Sequence, residues 1–248
     1  MKWPKGPRAN RVSRGDEVGP QHHATVWQSS SLLLDYPGVD TESRLQAVRE
    51  AAADLPTGVR EPLLDCVVRL GQMSVEELQA EYVGTFDNRK RNNLFLTYFA
   101  HGDTRKRGLA LLRFKQTYAQ AGVEIDESTA AGAELPDHLC VVLEFAALVD
   151  PQAGRQLMVD HRAGLELLRL SLDAESSPWV GAVTAITATL PPMDDQGMDA
   201  VRRLAAEGPP EEEVGLSPYE TPMFDQDSAP PASSGPVVLP MPSFPGGR

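Results

Sequence analysis

Helix punctuation recurs through almost the whole middle of this chain, while strand signals are few. Ala24–Asp35 predicts a helix stopped by Tyr36-Pro37-Gly38, because proline pushes its predecessor out of the α region. Glu42–Ala53 repeats Leu45, Val48 and Ala52 at helical spacing and stops near Pro56-Thr57-Gly58. Arg60–Leu70 follows, with Gly71 where a helix C-cap favours glycine. Ser74 and Glu77 have capping-box spacing, and the helix they open lays Val75, Leu78, Tyr82 and Phe86 along one face. Asp103 or Thr104 caps a helix running to Ala121-Gly122. Asp137–Val149 reads as a helix apolar on nearly every side, and residues 152–172 set Leu157, His161, Leu165, Leu168 and Leu172 on one stripe. Ser177-Pro178 is a favoured start for a helix reaching Leu190, and a last helix spans about Asp195–Ala206. Asn93–Phe99 is ambiguous. Its aromatic content allows a short strand, but its helical neighbours leave a strand without a partner, so helix is expected there.

The expected fold class is therefore all-α: a single compact multi-helix domain over residues 24–207 with disordered tails. Residues 1–23 form a basic extension, and residues 208–248 form an acidic, proline-rich tail that cannot bury enough surface to offset its ordering entropy. A core of roughly 180 residues buries about 70% of its unfolded-chain surface and needs no covalent staples. Cys66 and Cys140 sit inside apolar helical patterns without CxxC spacing, which suits buried thiols in a reducing compartment. No apolar run is long enough to span a bilayer, and no signal-peptide core follows the basic N-terminus. The chain is expected to be cytoplasmic and not an integral membrane protein.

Net charge is −12, with most of the excess acid in the helical middle. Such a surface repels a phosphate backbone and attracts basic partners. Two clusters run against this balance, Arg89-Lys90-Arg91 and Arg105-Lys106-Arg107. Without a recognisable nucleic-acid module and with 6% aromatic residues, no nucleic-acid partner is expected. The clusters read as solvated helix ends or as a basic contact patch for an acidic segment.

The usual phosphate cradles, the nucleophile elbow and the HExxH zinc helix are missing. No catalytic residue and no metal site is expected. His22-His23 fall near the N-terminal extension, and His161 lies on an apolar stripe as a core histidine would. Asp137-His138 could serve acid–base chemistry, but no nucleophile accompanies them, and packing or capping accounts for His101 and His138 more simply. Glu144 is flanked on its helix by Cys140, Val141 and Leu148. Either that face borders solvent, or Glu144 is a charged lip on an apolar groove that pairs with a basic residue of a bound peptide.

Four segments taken in order, SLLLDYP from Ser31, EYVGTFD from Glu81, HGDTRKRG from His101 and ELPDHLCVVLEF from Glu134, resemble the NarJ family. Its members are molybdenum-cofactor assembly chaperones of respiratory nitrate reductase, related to the helical TorD and DmsD chaperones. The resemblance covers about residues 25–215. It implies a non-enzymatic chaperone that binds the apo catalytic (alpha) subunit and its N-terminal segment, and it allows the iron–sulfur beta subunit as a further partner. It also implies that binding holds the subunit open while the molybdopterin guanine dinucleotide cofactor and an iron–sulfur cluster enter, before docking onto the membrane anchor, and that the chaperone holds no cofactor stably. On that reading Tyr82, Phe86, Tyr98, Leu139 and Leu143 line a peptide groove, and Glu81, Asp87, Asp137 and Glu144 meet the client's basic residues. His101, Gly102, Asp103, Pro136 and His138 shape the helix junctions. The extensions at both ends have no counterpart in the family pattern, although Glu211-Glu212-Glu213 resembles an acidic patch after the last helix. A sister chaperone for another molybdoenzyme is the alternative, and a small helical hydrolase or nucleotide-binding protein a more distant one.

Overall fold

The computed structural model describes residues 18–124 and 135–208. The basic extension up to residue 17 and the tail from residue 209 onward, Glu211-Glu212-Glu213 included, lie outside the described residues.

The described residues contain eleven α-helices: α1 Pro20–Leu34, α2 Thr41–Ala51, α3 Thr57–Leu70, α4 Val75–Tyr82, α5 Tyr98–His101, α6 Arg105–Gln120, α7 Leu139–Leu148, α8 Pro151–Asp160, α9 Arg162–Ala174, α10 Val180–Ala188 and α11 Asp195–Glu207. Helix α1 is central, packing on α7, α10, α2 and α3. Its buried face carries Trp27, Leu33 and Leu34, but also Ser29, Ser30 and Ser31. Small hydroxyls let neighbours come close while their polar atoms find backbone acceptors. Ser30 donates to the Ala182 carbonyl of α10, and Ser31 to the Cys140 carbonyl of α7, each at 3.3 Å. Glycines set two further crossings. A Cβ on Gly181 would stand 2.0 Å from the Pro62 carbonyl oxygen of α3, and one on Gly154 would stand 2.4 Å from the Ala146 Cβ of α7.

The capping box is formed as expected: Ser74 Oγ accepts from Glu77 N–H, and the Glu77 carboxylate accepts from Ser74 N–H. Other boundaries move. Helix α1 starts at Pro20, four residues before the expected edge. The continuation of α4 widens into a π-helical turn, Val83–Asp87, which still buries Phe86. The stripe over 152–172 is two helices that break at His161, whose ring Nδ1 bonds the Leu157 carbonyl at 2.8 Å. Ser177-Pro178 form a turn ahead of α10, with Ser177 Oγ accepting from Trp179 N–H at 3.4 Å.

The largest correction concerns Asn93–Phe99, which is not one helix. Phe95 and His138 form an isolated antiparallel bridge, with Leu96 N–H donating to Asp137 O at 3.0 Å and Leu139 N–H to Leu94 O at 2.8 Å. The missing strand partner is thus the turn before α7. Asp137 and His138 belong to that turn, and α7 begins only at Leu139.

Candidate functional site

Where α6, the Asn93–Thr97 segment and the turn before α7 converge, Arg107 is the hub. Its side chain is only 13% exposed. The guanidinium donates to Asp103 Oδ1 at 2.7 Å and to Thr97 Oγ1 at 3.2 Å, and its third nitrogen lies 3.6 Å from Asp137 Oδ2. It also sits over the rings of Phe95, at 5.2 Å, and Tyr98, at 5.9 Å. Asp137 is fully buried and accepts from both Thr97 N–H at 3.1 Å and Thr97 Oγ1 at 2.5 Å. The HGDTRKRG and LPDHL motifs are therefore two halves of one buried polar joint. A buried carboxylate without such partners would be strongly unfavourable.

Around this joint lie three more polar rings. Tyr118 of α6 donates to the Pro136 carbonyl at 2.7 Å, and burial together with the Asp137 charge pushes its phenol well above the ordinary range. His138 packs edge-on against Phe95, and burial lowers its pKa although Asp137 and Asp35 pull it upward. Burial likewise lowers His161, which rests against Phe114.

The second region is the seam between α1 and α7. Glu144 is exposed, and its carboxylate lies 3.2 Å from Ser31 Oγ, which shares its single proton between Glu144 and the Cys140 carbonyl. Val141, Glu144 and Leu148 follow one another at helical spacing on the side of α7 turned away from the core, with Leu148 72% exposed. At the end of α1, Arg44 of α2 clamps Asp35 at 2.7 Å and Asp40 at 2.6 Å while also donating to the Tyr36 carbonyl. Hydrogen bonding to Asp40 raises the Arg44 pKa, and the same bond holds Asp40 below the usual carboxylate range. Tyr36 is half exposed and lies edge-on to Tyr82.

The expected groove-lining residues divide sharply from the expected acidic contacts. Tyr82, Phe86, Tyr98, Leu139 and Leu143 are all buried. Tyr82 bonds the Leu34 carbonyl at 3.0 Å and, with Phe86, packs on Trp179. These five belong to the core: Trp179 covers Tyr82 and Phe86, α1 packs on the helix that holds Leu139 and Leu143, and Tyr98 is buried at the start of α5. Asp137 is corrected for the same reason: enclosed by Thr97 and Arg107, it offers no surface to a partner. Glu81, Asp87 and Glu144 are exposed. Pro136 and Gly102 are buried at their junctions, Gly102 with φ 57, and His101 and Asp103 flank the same bend.

The basic clusters also separate. Arg89 pairs with Glu175 at the end of α9, and Arg91 donates to the Ala205 carbonyl of α11 at 2.9 Å, while Lys90 is exposed. The first cluster thus joins helix ends. In the second, Arg107 turns inward and Arg105 and Lys106 stay exposed. Sequence reasoning missed Thr97, Phe95 and Ser31, whose partners Asp137, His138 and Cys140 arrive from far along the chain, and also Arg44, whose partners Asp40, Tyr36 and Asp35 lie only a turn or two away in sequence. Val141 and Leu148 were visible only as neighbours of Glu144.

The described residues form an all-helical protein. The chain belongs to the nitrate reductase delta subunit family, whose profile matches residues 52–185. It is 38% identical over 164 residues to the nitrate reductase-like protein NarX of Mycobacterium tuberculosis, a match covering 66% of this chain and 24% of that protein. With a probable nitrate reductase molybdenum cofactor assembly chaperone NarJ of Bacillus subtilis it shares 32% identity over 166 residues, covering 66% of this chain and 88% of the relative. With Escherichia coli NarJ, a nitrate reductase molybdenum cofactor assembly chaperone, identity is 30% over 152 residues, or 60% and 62% of the two chains. The chain spans about a quarter of NarX and most of the Bacillus protein.

Proposed function

We propose that this chain is a system-specific assembly chaperone for nitrate reductase. It binds the apo catalytic subunit, including that subunit's N-terminal segment, and assists insertion of the molybdopterin guanine dinucleotide cofactor before the enzyme docks at the membrane. The observation that carries this reading is the match across 88% of the length of the Bacillus chaperone. The chaperone acts without catalysis of its own, in the cytoplasm, and the iron–sulfur beta subunit accompanies the client.

The α1–α7 seam supports a client-facing role. Val141 and Leu148 supply apolar area, and Glu144 supplies a carboxylate between them. Glu81 and Asp87 add exposed acid on the α4 side of the molecule. A basic amphipathic segment suits such a surface, with charge setting encounter rate and register and apolar contact slowing release. The Arg107–Asp137 joint holds the start of α7, and hence the stripe, in place. Ordering the client segment consumes part of the interaction, so micromolar to nanomolar affinity is the expected order.

Calorimetric titration with a peptide copying the N-terminus of the nitrate reductase catalytic subunit tests the reading. Saturable binding that weakens with salt is expected. Absence of binding at high micromolar peptide in low salt overturns it.

A further inference from the structure

Helix α6 carries Arg105, Lys106, Arg107, Arg113 and Lys115 and no carboxylate, in a chain of net charge −12. Within this helix only Phe114 and Tyr118 are buried. On its outer side Leu109 is 75% exposed and Leu112 49%. They stand one turn apart, next to the exposed Arg105 and Lys106. Isolated exposed leucines are ordinary; two on one turn, bordered by cations on a helix that buries so little, form a small amphipathic face. Arg107 does not contribute, being committed to Asp137, and Arg113 is 62% exposed while paired with Asp160.

We propose that this outer face of α6 is a second docking surface, and that its occupant is an acidic, leucine-rich segment of a polypeptide partner. Charge complementarity on a local scale selects the occupant. Arg105 and Lys106 are exposed beside the two leucines, whereas the chain as a whole carries a net charge of −12. Screening limits exposed charges to a range of about 8 Å at physiological ionic strength, so a narrow segment lying over Leu109 and Leu112 meets these two cations first. A broad anionic bilayer would meet the acidic remainder as well. A single-stranded nucleic acid finds no aromatic stacking platform here, because the exposed apolar residues are leucines. This surface is opposite in charge to the Glu144 stripe, and its existence does not depend on the client reading.

The test is fluorescence anisotropy on the full chain. The probe is a labelled amphipathic peptide whose only charges are glutamates and whose apolar residues are leucines. The control peptide has every glutamate replaced by lysine, and phosphatidylglycerol–phosphatidylcholine vesicles compete. Saturable, salt-sensitive binding of the acidic probe is expected. The pair L109S and L112S together, and K106E separately, should each weaken it about tenfold or more, with the melting temperature unchanged. Equal binding by the variants, equal binding of the lysine control, or displacement by vesicles at low lipid overturns the proposal. The basic client peptide should bind these variants as it binds the parent chain. Its loss with L109S and L112S would show that α6 is not a separate surface and would likewise overturn the proposal.

Discussion

Arg107 and Asp137 face each other at 3.6 Å inside the protein, the aspartate fully covered and the arginine nearly so. They join the start of α6 to the turn before α7, elements whose own backbones are not hydrogen-bonded to one another in a regular ladder. Thr97 completes the joint by donating twice to the same carboxylate oxygen. Truncation of Arg107 leaves the Asp137 carboxylate buried without its cation, and truncation of Asp137 leaves Thr97 without its acceptor and Arg107 with Asp103 alone.

Asp137→Ala should therefore lower unfolding free energy by about 3–5 kcal/mol, measured by urea denaturation. Arg107→Ala should act in the same direction. The double variant should lose less than the sum of the singles, because the two side chains share one interaction. Strict additivity would show that the pair is not coupled.

Gly181 meets the Pro62 carbonyl oxygen so closely that a Cβ would stand 2.0 Å away. Backbone cannot retreat as a flexible side chain would, so Gly181→Ala should destabilise by about 1–3 kcal/mol or more. Gly108 on α6 has nothing within 4 Å of the corresponding position. There the alanine substitution should stabilise by roughly 0.5–1 kcal/mol, through helix propensity alone. Thermal unfolding of both variants decides whether the α3–α10 crossing is as tight as described.

Burial holds both His138 and His161 below the free-imidazole value of 6.5 in the folded chain. The unfolded chain then takes up protons first as pH falls. The stability these residues contribute is complete above about pH 6.5 and is lost as pH drops through their lowered folded values. Melting temperature should accordingly decline on acidification from about pH 7.5 to 5.5, and His161→Gln should flatten that decline. An unchanged slope in the variant would remove His161 from the account.

Glu144 is exposed and carries a single hydrogen bond from Ser31. Glu144→Gln should change stability by no more than about 0.5 kcal/mol. It should nevertheless weaken binding of the basic client peptide and reduce the salt dependence of that binding. A large stability loss with unaltered binding would make Glu144 a structural residue of the α1–α7 seam.

Local chemistry was legible in the sequence and distant covering was not. Ser74 and Glu77 announce their helix because a capping box is complete within four residues. The family motifs could be recognised for a similar reason, as short strings in order. Asn93–Phe99 misleads because its bridging partner, His138, arrives from far along the chain. Spacing marked Tyr82 and Phe86 as an apolar face and the helix of Leu139 and Leu143 as apolar on nearly every side, yet nothing in their neighbourhood announces that Trp179 covers the first pair and α1 packs on the second. Asp137 and Glu144 look alike in sequence, as lone carboxylates among apolar residues. Only the arrival of Thr97 and Arg107 at one, and solvent at the other, separates a buried joint from an exposed contact.

A chain that assists cofactor insertion into nitrate reductase should control how much molybdenum the catalytic subunit carries. The subunit would be purified from cells lacking this gene and from the same cells with the gene restored, and metal would be quantified per polypeptide. Without the gene the subunit should accumulate poor in molybdenum and low in nitrate reduction, and it should recover both when the gene is returned. A fully loaded, active subunit in the gene's absence would contradict that role.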